Sequence, residues 1–319
     1  MSYHPNFPPS LSISPNTTAD RVDDEFGISA QRDAIETFGI AGRVWEAALA
    51  MCSYIDSMNV DAHDLEFDPP FFDDGSQDYG CPTLIELGSG TGIVAARIAR
   101  AFLSDGVVIA TDLPDVCPLL ERNLHAHTGS LLTPDLSKSG CGNMFVRPLS
   151  WGNLDHAMLI EREFGFPRSC NRLTHVICSD LVYFPELFAP LLRTLIHLTS
   201  SPYSDAVNRT YARIVVSYKV RSLQKETPFW AAFGLWFAFH PVLFRHRRPL
   251  RLSVVADDHV LGEDQTFVFV AHRRPESMSW EIPQSDQDLI DGVGARGTSL
   301  RKADDTFETL LFMAMEHVE

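Results

Sequence analysis

Short apolar runs alternate with amphipathic stretches through most of the chain. Strand-like runs cover residues 83–87, 107–112, 144–149, 174–180 and 213–218. Each gap is long enough for a helix, and parallel strands are joined by crossovers of a dozen or more residues. The pattern therefore predicts parallel β-α-β units.

Two intervening stretches show a clear helical period. In residues 115–127, Val116, Leu119, Leu120 and Leu124 fall on one face, and Pro118 is tolerable in a first turn. Residues 185–198 carry apolar pairs at the same spacing. Both stretches are predicted to be helices that cover the sheet.

The last strands follow a different pattern. Residues 252–256 and 266–271 are strand-like, but only residues 257–264 separate them, too few for a crossover helix. We expect these two runs to pair antiparallel as a terminal hairpin. Five parallel strands and this hairpin predict an α/β, Rossmann-like, seven-stranded sheet flanked by helices.

Composition shifts divide the rest of the chain. Residues 1–24, rich in Pro, Ser, Asn and Asp, are predicted to be a disordered tail. The main domain is expected over 25–272, with a helical segment from about residue 29 to 58 and an acidic surface loop over 61–79. An extension over 273–319 ends in a predicted docking helix at 304–318. The aromatic run at 229–239 is interpreted as a buried helix face.

Charge and cysteine usage narrow the class of protein. The net charge of −16 argues against nucleic acid as the main partner, because neutralising phosphates needs a basic surface, but it suits a basic protein surface. The six cysteines form no Cys-x-x-Cys pair, and the histidines form no metal set. No signal pattern or apolar run of membrane-spanning length is present. We expect a cytoplasmic monomer that holds no metal and does not enter a membrane.

Three closely spaced glycines follow the first predicted strand. Gly88, Gly90 and Gly92 come directly after Glu86 and before an amphipathic stretch, an order typical of a nucleotide-binding strand, loop and helix. Their spacing differs from the Gly-x-Gly-x-x-Gly of dinucleotide sites. Glu86 would repel a pyrophosphate but suits a positive amino group. S-adenosylmethionine, with an adenosine and an ammonium, meets both conditions.

Further candidate residues follow the next strands. Asp112 ends the second strand, where an acid can accept hydrogen bonds from both ribose hydroxyls. Alternatively, it is an acid at the N-terminus of the following helix, where its negative charge interacts favourably with the helix dipole. Trp151 follows the third strand and either lies against the adenine or is a core residue under its loop.

Asp180 and Tyr183 follow the fourth strand, three residues apart. An amine must be neutral to attack a methyl group, so a carboxylate at this edge could orient the amine and receive its proton. Tyr183 could pack or hydrogen-bond at the mouth of the site. Asp180 could also cap the following helix, and the two roles are compatible.

The chain resembles family 16 of the seven-β-strand methyltransferases, protein-lysine methyltransferases that act on non-histone proteins, over roughly residues 39–272. In particular it is similar to fungal lysine methyltransferases that modify translation elongation factor 1A. The segments that carry the resemblance are Gly42-Arg-Val-Trp-Glu-Ala47, Glu86-Leu-Gly-Ser-Gly-Thr-Gly92, Thr111-Asp-Leu113, Leu149-Ser-Trp-Gly152, Ser179-Asp-Leu-Val-Tyr183 and Ser217-Tyr-Lys-Val-Arg221.

The resemblance implies a class I methyltransferase fold, S-adenosylmethionine as cofactor and a protein substrate such as elongation factor 1A. It implies Asp180 and Tyr183 as the family's Asp-x-x-Tyr signature. The residues predicted to bind the cofactor, from motif and resemblance together, are Trp45, Glu86, Gly88, Ser89, Gly90, Gly92, Asp112, Leu113, Trp151 and Ser179.

Two other functions remain open from sequence. One is methylation of a small amine or nucleobase, although Leu181 and Val182 stand where amino-methylating nucleic-acid enzymes often carry prolines. The other is a catalytically silent binding module, against which the intact acids and glycines argue.

Overall fold

The computed structural model describes residues 6–8, 11–18, 24–56, 65–72, 81–102, 106–128, 143–166, 171–203, 212–246 and 266–316. Its strands are β1 (Leu65–Asp68), β2 (Cys81–Leu87), β3 (Val107–Asp112), β4 (Asn143–Pro148), β5 (Asn171–Ser179), β6 (Arg213–Lys219), β7 (Phe237–Pro241), β8 (Leu243–His246) and β9 (Thr266–Arg273). Its helices are α1 (Ile28–Phe38), α2 (Glu46–Asp56), α3 (Ile93–Phe102), α4 (Cys117–Thr128), α5 (Leu154–Phe164), α6 (Pro185–Leu198), α7 (Leu223–Trp236), α8 (Asp286–Ile290) and α9 (Thr306–Glu316).

A seven-stranded sheet forms the centre of the molecule, in the order β4-β3-β2-β5-β6-β9-β7. The five strands from β4 to β6 are parallel, and β9 pairs antiparallel with both β6 and β7. This confirms the predicted fold class. The chain builds outward from β2 to β4 and then returns to β5, so the strand order switches between β2 and β5. A ligand-binding crevice is expected at that point.

Alternate residues of the strands belong to two different apolar cores, one on each face of the sheet. Leu84 of β2 joins a core with α2 and α3, whereas its neighbour Ile85 joins one with α5, α6 and α7. Because successive strand side chains point to opposite faces, helices must cover both sides. The result is a three-layer arrangement with helices on both faces of the sheet.

The acidic connector contains a strand where a surface loop was expected. Leu65–Asp68 pairs antiparallel with Leu243–His246 in a small second sheet. Phe67 of this strand is buried and packs against Tyr54, with ring centroids 5.3 Å apart. The loop interpretation was wrong here, because Phe67 anchors the segment in the core; the rest of the connector lies outside the described residues.

The partner of the last central strand also differs from the expectation. β9 pairs with β7, which comes from the end of the aromatic run predicted as helix. Helix α7 ends at Trp236, and burial then alternates, with Phe237 and Phe239 inward and Ala238 exposed. That two-residue period is typical of a strand, and the helix interpretation was wrong beyond Trp236. The expected partner, residues 252–256, lies outside the described residues.

The C-terminal extension packs on α7. Phe307 of α9 stacks on Trp230, with ring centroids 4.8 Å apart, and the Asp304 amide donates to the carbonyl of Ala231. At Gly234 a Cβ would lie 2.2 Å from Oδ1 of Asp304, so this close approach requires glycine. The predicted terminal helix is therefore present as α9 and contributes to the core.

The N-terminal residues that the structure describes, 6–8 and 11–18, lie against the domain, unlike the disordered tail that was expected. Asn6 and Asn16 are buried. The Asn16 amide donates to Oε1 of Gln31 at 2.9 Å, and the Gln31 side chain is itself buried. Ordering these residues costs conformational entropy, and buried hydrogen bonds of this kind offset that cost. Composition alone, from which disorder was expected, does not reveal such contacts.

Cys52, Cys117 and Cys178 are free thiols, as expected for reduced cysteines. Burial raises the pKa of Cys52 to about 12 and that of Cys117 to about 11, so these thiols are unreactive at neutral pH. Within the described ranges, no helix has both the length and the apolar composition of a membrane span.

Candidate active site

A cavity of about 410 Å³ opens at the carboxyl ends of the parallel strands, where the strand order switches. Strands β2, β3, β5 and β6 end at its edge. The sequence-predicted residues that line it are Trp45, Glu86, Gly88, Ser89, Gly90, Asp112, Leu113, Trp151, Ser179, Asp180 and Tyr183. The structure therefore brings together eleven of the twelve predicted site residues, and Gly92 is absent from the lining.

Gly88 and Gly90 shape the floor of the cavity. Both have a positive φ, of 57° and 54°, which side chains rarely adopt. A Cβ on Gly88 would lie 2.9 Å from Cδ2 of Leu181 and 3.0 Å from Cζ2 of Trp151. The glycines therefore leave open the space in which a ligand can approach the backbone.

Gly92 serves packing instead. A Cβ there would meet the side chains of Leu120 and Leu124 at 3.1–3.3 Å. Its amide donates to the carbonyl of Ser89 at 2.8 Å and closes the turn before α3. It shapes the loop without lining the cavity.

Glu86 lies at the cavity wall with an unpartnered oxygen. The residue is 2% exposed, and its Oε2 has no hydrogen-bond partner among the described residues. Burial, together with the nearby carboxylate of Asp112, raises the pKa of Glu86 to about 8. A buried carboxylate of this kind fits a ligand that brings a hydrogen-bond donor or a positive charge.

Asp112 is fixed by the backbone on either side of it. Its Oδ2 accepts from the Gly90 amide at 2.8 Å, and its Oδ1 accepts from the Leu113 amide at 2.7 Å. Burial raises its pKa to about 6 even though these two hydrogen bonds favour the ionised form. Each carboxylate oxygen can accept a second hydrogen bond, which fits the expected ribose contact. Helix α4 begins only at Cys117, so Asp112 does not lie in its first turn.

Two hydrogen bonds tie the glycine loop to β3. The Thr111 hydroxyl donates to the Glu86 carbonyl at 2.6 Å, and the Ser89 amide donates to the Thr111 carbonyl at 2.9 Å. These contacts cross between adjacent strands. They hold the two acids of the site at a fixed separation.

Trp151 and Tyr183 form the aromatic side of the cavity. Trp151 is half-buried and packs against the core while it also lines the cavity, so both of its expected roles are compatible with its position. Its ring centroid is 6.5 Å from that of Tyr183, in an edge-to-face arrangement. Ser179, at the end of β5, accepts a hydrogen bond from the Ser217 hydroxyl at 3.2 Å.

Asp180 has a strained backbone and a buried side chain. Its φ is +62°, uncommon for a residue with a side chain, and its amide donates to the Ser217 carbonyl at 2.8 Å. The cap of α6 is Phe184, so Asp180 does not cap this helix. Such strain is typical of functional positions held by their surroundings.

An ion pair with Arg221 holds the side chain of Asp180, and Arg221 was not predicted as a site residue. Arg221 Nη1 donates to Oδ1 of Asp180 at 2.5 Å, and its Nη2 contacts Oδ2. The guanidinium also lies 3.7 Å from Glu46 and 5.4 Å from the ring centroid of Trp45. Arg221 ends one of the segments that carried the resemblance, but nothing local to it indicated its partner.

Other residues of the cavity were also missed from sequence. Glu226 is buried, and its Oε2 accepts from the Tyr218 hydroxyl at 2.5 Å and from the Arg221 amide at 3.2 Å. Arg43 pairs with Glu46 at 2.5 Å and lies over the Trp45 ring. These hydrogen bonds and this ion pair join residues only three to eight positions apart, but they are made by polar side chains, which the period of apolar residues does not reveal.

The chain is similar to known lysine methyltransferases. A family model described as lysine methyltransferase matches residues 23–232. The chain is 34% identical to EEF1A lysine methyltransferase 3 of Mus musculus over 50% of this chain and 51% of that protein. It is 30% identical to protein-lysine N-methyltransferase EFM6 of Saccharomyces cerevisiae over 50% of this chain and 59% of that protein.

The chain spans about half the length of the first curated relatives it matches. Among solved structures, a human methyltransferase 10 domain containing protein aligns with a TM-score of 0.37 and 9% identity, covering 70% of this chain and 80% of that one. The family model covers well over half of the residues. The chain therefore belongs to the lysine methyltransferase family.

Proposed function

We propose that this protein transfers a methyl group from S-adenosylmethionine to the side-chain amine of a lysine in another protein. One observation carries the proposal: Asp180 and Tyr183 line the same cavity as Glu86, the glycine loop and Asp112. The residues suited to a cationic nucleoside therefore line the same cavity as Asp180, the carboxylate suited to an amine. Family membership supports the same reaction.

Glu86 and Asp112 are proposed to hold the cofactor. The free oxygen of Glu86 is suited to the amino group, and Asp112 to the ribose hydroxyls. When bound, S-adenosylmethionine supplies a methyl group activated by its positively charged sulfur. The positive φ of Gly88 and Gly90 keeps the backbone open to it.

Asp180 is proposed to orient the lysine amine. The amine must lose its proton before its nitrogen forms the new bond to the methyl carbon, as the carbon–sulfur bond breaks. Asp180 can accept a hydrogen bond from the amine and receive the proton directly or through water, because each oxygen keeps acceptor capacity beside Arg221. Tyr183 and Trp151 form an aromatic wall that limits access of water.

The proposed substrate is translation elongation factor 1A. Support comes from the name of one relative, EEF1A lysine methyltransferase 3 of Mus musculus, and from the net charge of −16, which suits a basic protein surface. Such a substrate implies a cytoplasmic location. We propose that the enzyme acts as a monomer without nucleic acid as its main partner.

The test is transfer of isotope-labelled methyl groups into a lysate from cells that lack this enzyme, followed by mass spectrometry. The wild-type protein is expected to label a lysine of elongation factor 1A, and Asp180→Asn is expected to label nothing. Label on a lysine of a different protein would reject only the substrate. Label in RNA or in a small metabolite would reject the protein-lysine assignment.

The silent binding module is tested separately. Calorimetry with S-adenosylmethionine at high micromolar concentration is expected to show binding to one site. Binding without any transfer in the lysate would favour the silent module. Absence of binding would reject both enzyme hypotheses.

A further inference from the structure

The N-terminal segment, defined as residues 6–8 and 11–18, reaches the cavity. Asn6 and Leu11 are among the residues that line it. The family model begins only at residue 23, so this segment lies outside the part of the chain that the family explains. A part of the cavity wall therefore comes from residues outside the family-matched region.

A close backbone contact fixes the beginning of the segment. The Ile40 amide donates to the Asn6 carbonyl at 2.9 Å. A Cβ on Gly39 would lie 1.8 Å from that same oxygen, so only glycine permits the approach. Gly39 also has a positive φ of 60°.

Two side chains, those of Gln31 and Arg43, fix its end with three hydrogen bonds. Gln31 donates to the carbonyl of Asn16 at 3.3 Å and accepts from its amide at 2.9 Å. Arg43 Nη1 donates to the carbonyl of Ser14 at 2.5 Å. The segment is thus attached at both ends, with Leu11 between the attachments.

The turn that carries the segment also touches the glycine loop. A Cβ on Gly90 would lie 3.1 Å from the carbonyl oxygen of Ala41, in the short helical turn Gly39–Gly42. The N-terminal segment, this turn and the glycine loop therefore form one continuous wall. Leu11 presents an apolar side chain that is still 42% exposed, so a ligand can cover it.

We propose that the N-terminal segment is part of the cofactor-binding site, with Leu11 covering the bound nucleoside. The inference rests on the proposed function for the identity of the ligand. It adds a contact outside the family-matched domain. A segment with a purely structural role would support the fold without changing affinity for S-adenosylmethionine.

The first test is Leu11→Ala in the full chain, with Leu300→Ala, at a leucine 72% exposed and outside the cavity lining, as the matched control. Leu11→Ala is expected to weaken S-adenosylmethionine binding in calorimetry by about threefold to tenfold, as the lost apolar contact predicts. Leu300→Ala is expected to bind like the wild type. Equal affinity in all three proteins would overturn the inference.

The second test displaces the segment with Gly39→Ala. Gly297→Ala is the control, because Gly297 also has a positive φ, of 67°, but a Cβ there meets nothing within 4 Å. Gly39→Ala is expected to weaken binding by about tenfold and Gly297→Ala to leave it unchanged. Loss of binding in both variants, or in neither, would contradict the inference.

Hydrogen exchange gives a readout that does not depend on a variant. Saturating S-adenosylmethionine is expected to slow exchange of the amides of residues 11–18 by about fivefold or more, and to leave α9 unchanged. Binding to the wild type without this protection would reject the role of the segment. No binding to the wild type at all would reject the proposed function instead.

Discussion

Arg221 holds both carboxylate oxygens of Asp180, the residue proposed to orient the substrate amine. The Asp180 side chain is 1% exposed and the Arg221 side chain 29%, so the guanidinium lies on the more open side of the pair. Asp180 is therefore a carboxylate held at both oxygens by an ion pair. It is a charge already compensated and fixed in direction, as suits a hydrogen-bond acceptor.

Arg221→Met is predicted to lower kcat/KM for the protein substrate about tenfold to hundredfold, because a charged hydrogen-bond partner of Asp180 is lost. Affinity for S-adenosylmethionine is expected to change by less than about twofold. Arg221→Lys should recover part of the activity, since it keeps the charge without the two-point contact. The control is Arg193→Met, which breaks a pair with Asp286 away from the cavity. Steady-state kinetics in which Arg221→Met matches this control would contradict the role.

Asp180→Asn is predicted to abolish transfer while the fold and most of the affinity for S-adenosylmethionine remain. Asparagine tolerates the positive φ of 62° better than alanine, so this change isolates the carboxylate from backbone strain. Transfer is measured with labelled cofactor and binding by calorimetry. An equal loss of both would assign Asp180 to cofactor binding.

Asp112→Ala is predicted to weaken binding of S-adenosylmethionine by about tenfold or more, because the ribose loses a charged acceptor and the Gly90 amide loses its partner. Asp115→Ala, an exposed acid three residues later and outside the cavity lining, serves as control. Calorimetry of both variants decides the matter. Unchanged affinity in Asp112→Ala would reject the ribose contact.

Cofactor binding is predicted to release a proton from Glu86 at pH 7. Burial holds the pKa of Glu86 at about 8 in the ligand-free protein, so it is largely protonated, and a cationic ligand favours its ionised form. The binding enthalpy should therefore differ between buffers of different ionisation enthalpy. Glu86→Gln should bind more weakly and show no such difference. A wild-type enthalpy that is independent of buffer would count against the contact.

The same pKa has a consequence for stability without ligand. A carboxyl group whose pKa is raised from 4.5 to about 8 stabilises the folded state fully below pH 4.5, and this contribution is lost as pH rises toward 8. Glu86→Gln should lose less stability over that range, as measured by denaturant unfolding at several pH values. Parallel curves for the two proteins would show that Glu86 does not titrate in this window.

Phe307→Ala is predicted to destabilise the protein by about 3–5 kcal/mol, because it leaves a cavity beside Trp230. Phe312→Ala on the same helix, at a side chain 65% exposed, should cost less than about 0.5 kcal/mol. Denaturant unfolding measures both. Similar values for the two variants would show that α9 does not stabilise the core.

Local sequence patterns were sufficient to predict those helices, strands and loops whose conformation depends mainly on their own residues. The period of apolar residues predicted α6 with the bounds that the structure has, and the glycines after Glu86 indicated a strand, loop and helix. The candidate acids were found because each follows a strand, and parallel strands end at one edge of a sheet. Position in sequence therefore gave the acids predicted to act in the cavity, although most of its lining comes from other residues.

The same reasoning failed where an element takes its form from a distant partner. Nothing near residues 65–68 indicated a strand, because that strand exists only through its pairing with β8. β7 was predicted as part of a helix, because its two-residue period covers only a few positions after Trp236 and is too short to recognise in the sequence. Composition also underestimated the N-terminal segment, which is held by Gln31 and Arg43 far along the chain.

The glycines and acids of the cavity, and the alternation that places them at strand ends, were determined by sequence alone, because spacing and side-chain chemistry are local properties. The state of Asp180 was decided only by tertiary structure. Its partner Arg221 lies 41 residues away, at the end of a neighbouring strand, and the two meet because β5 and β6 pair in a particular register. An ion pair across strands depends on that register, which no local pattern encodes.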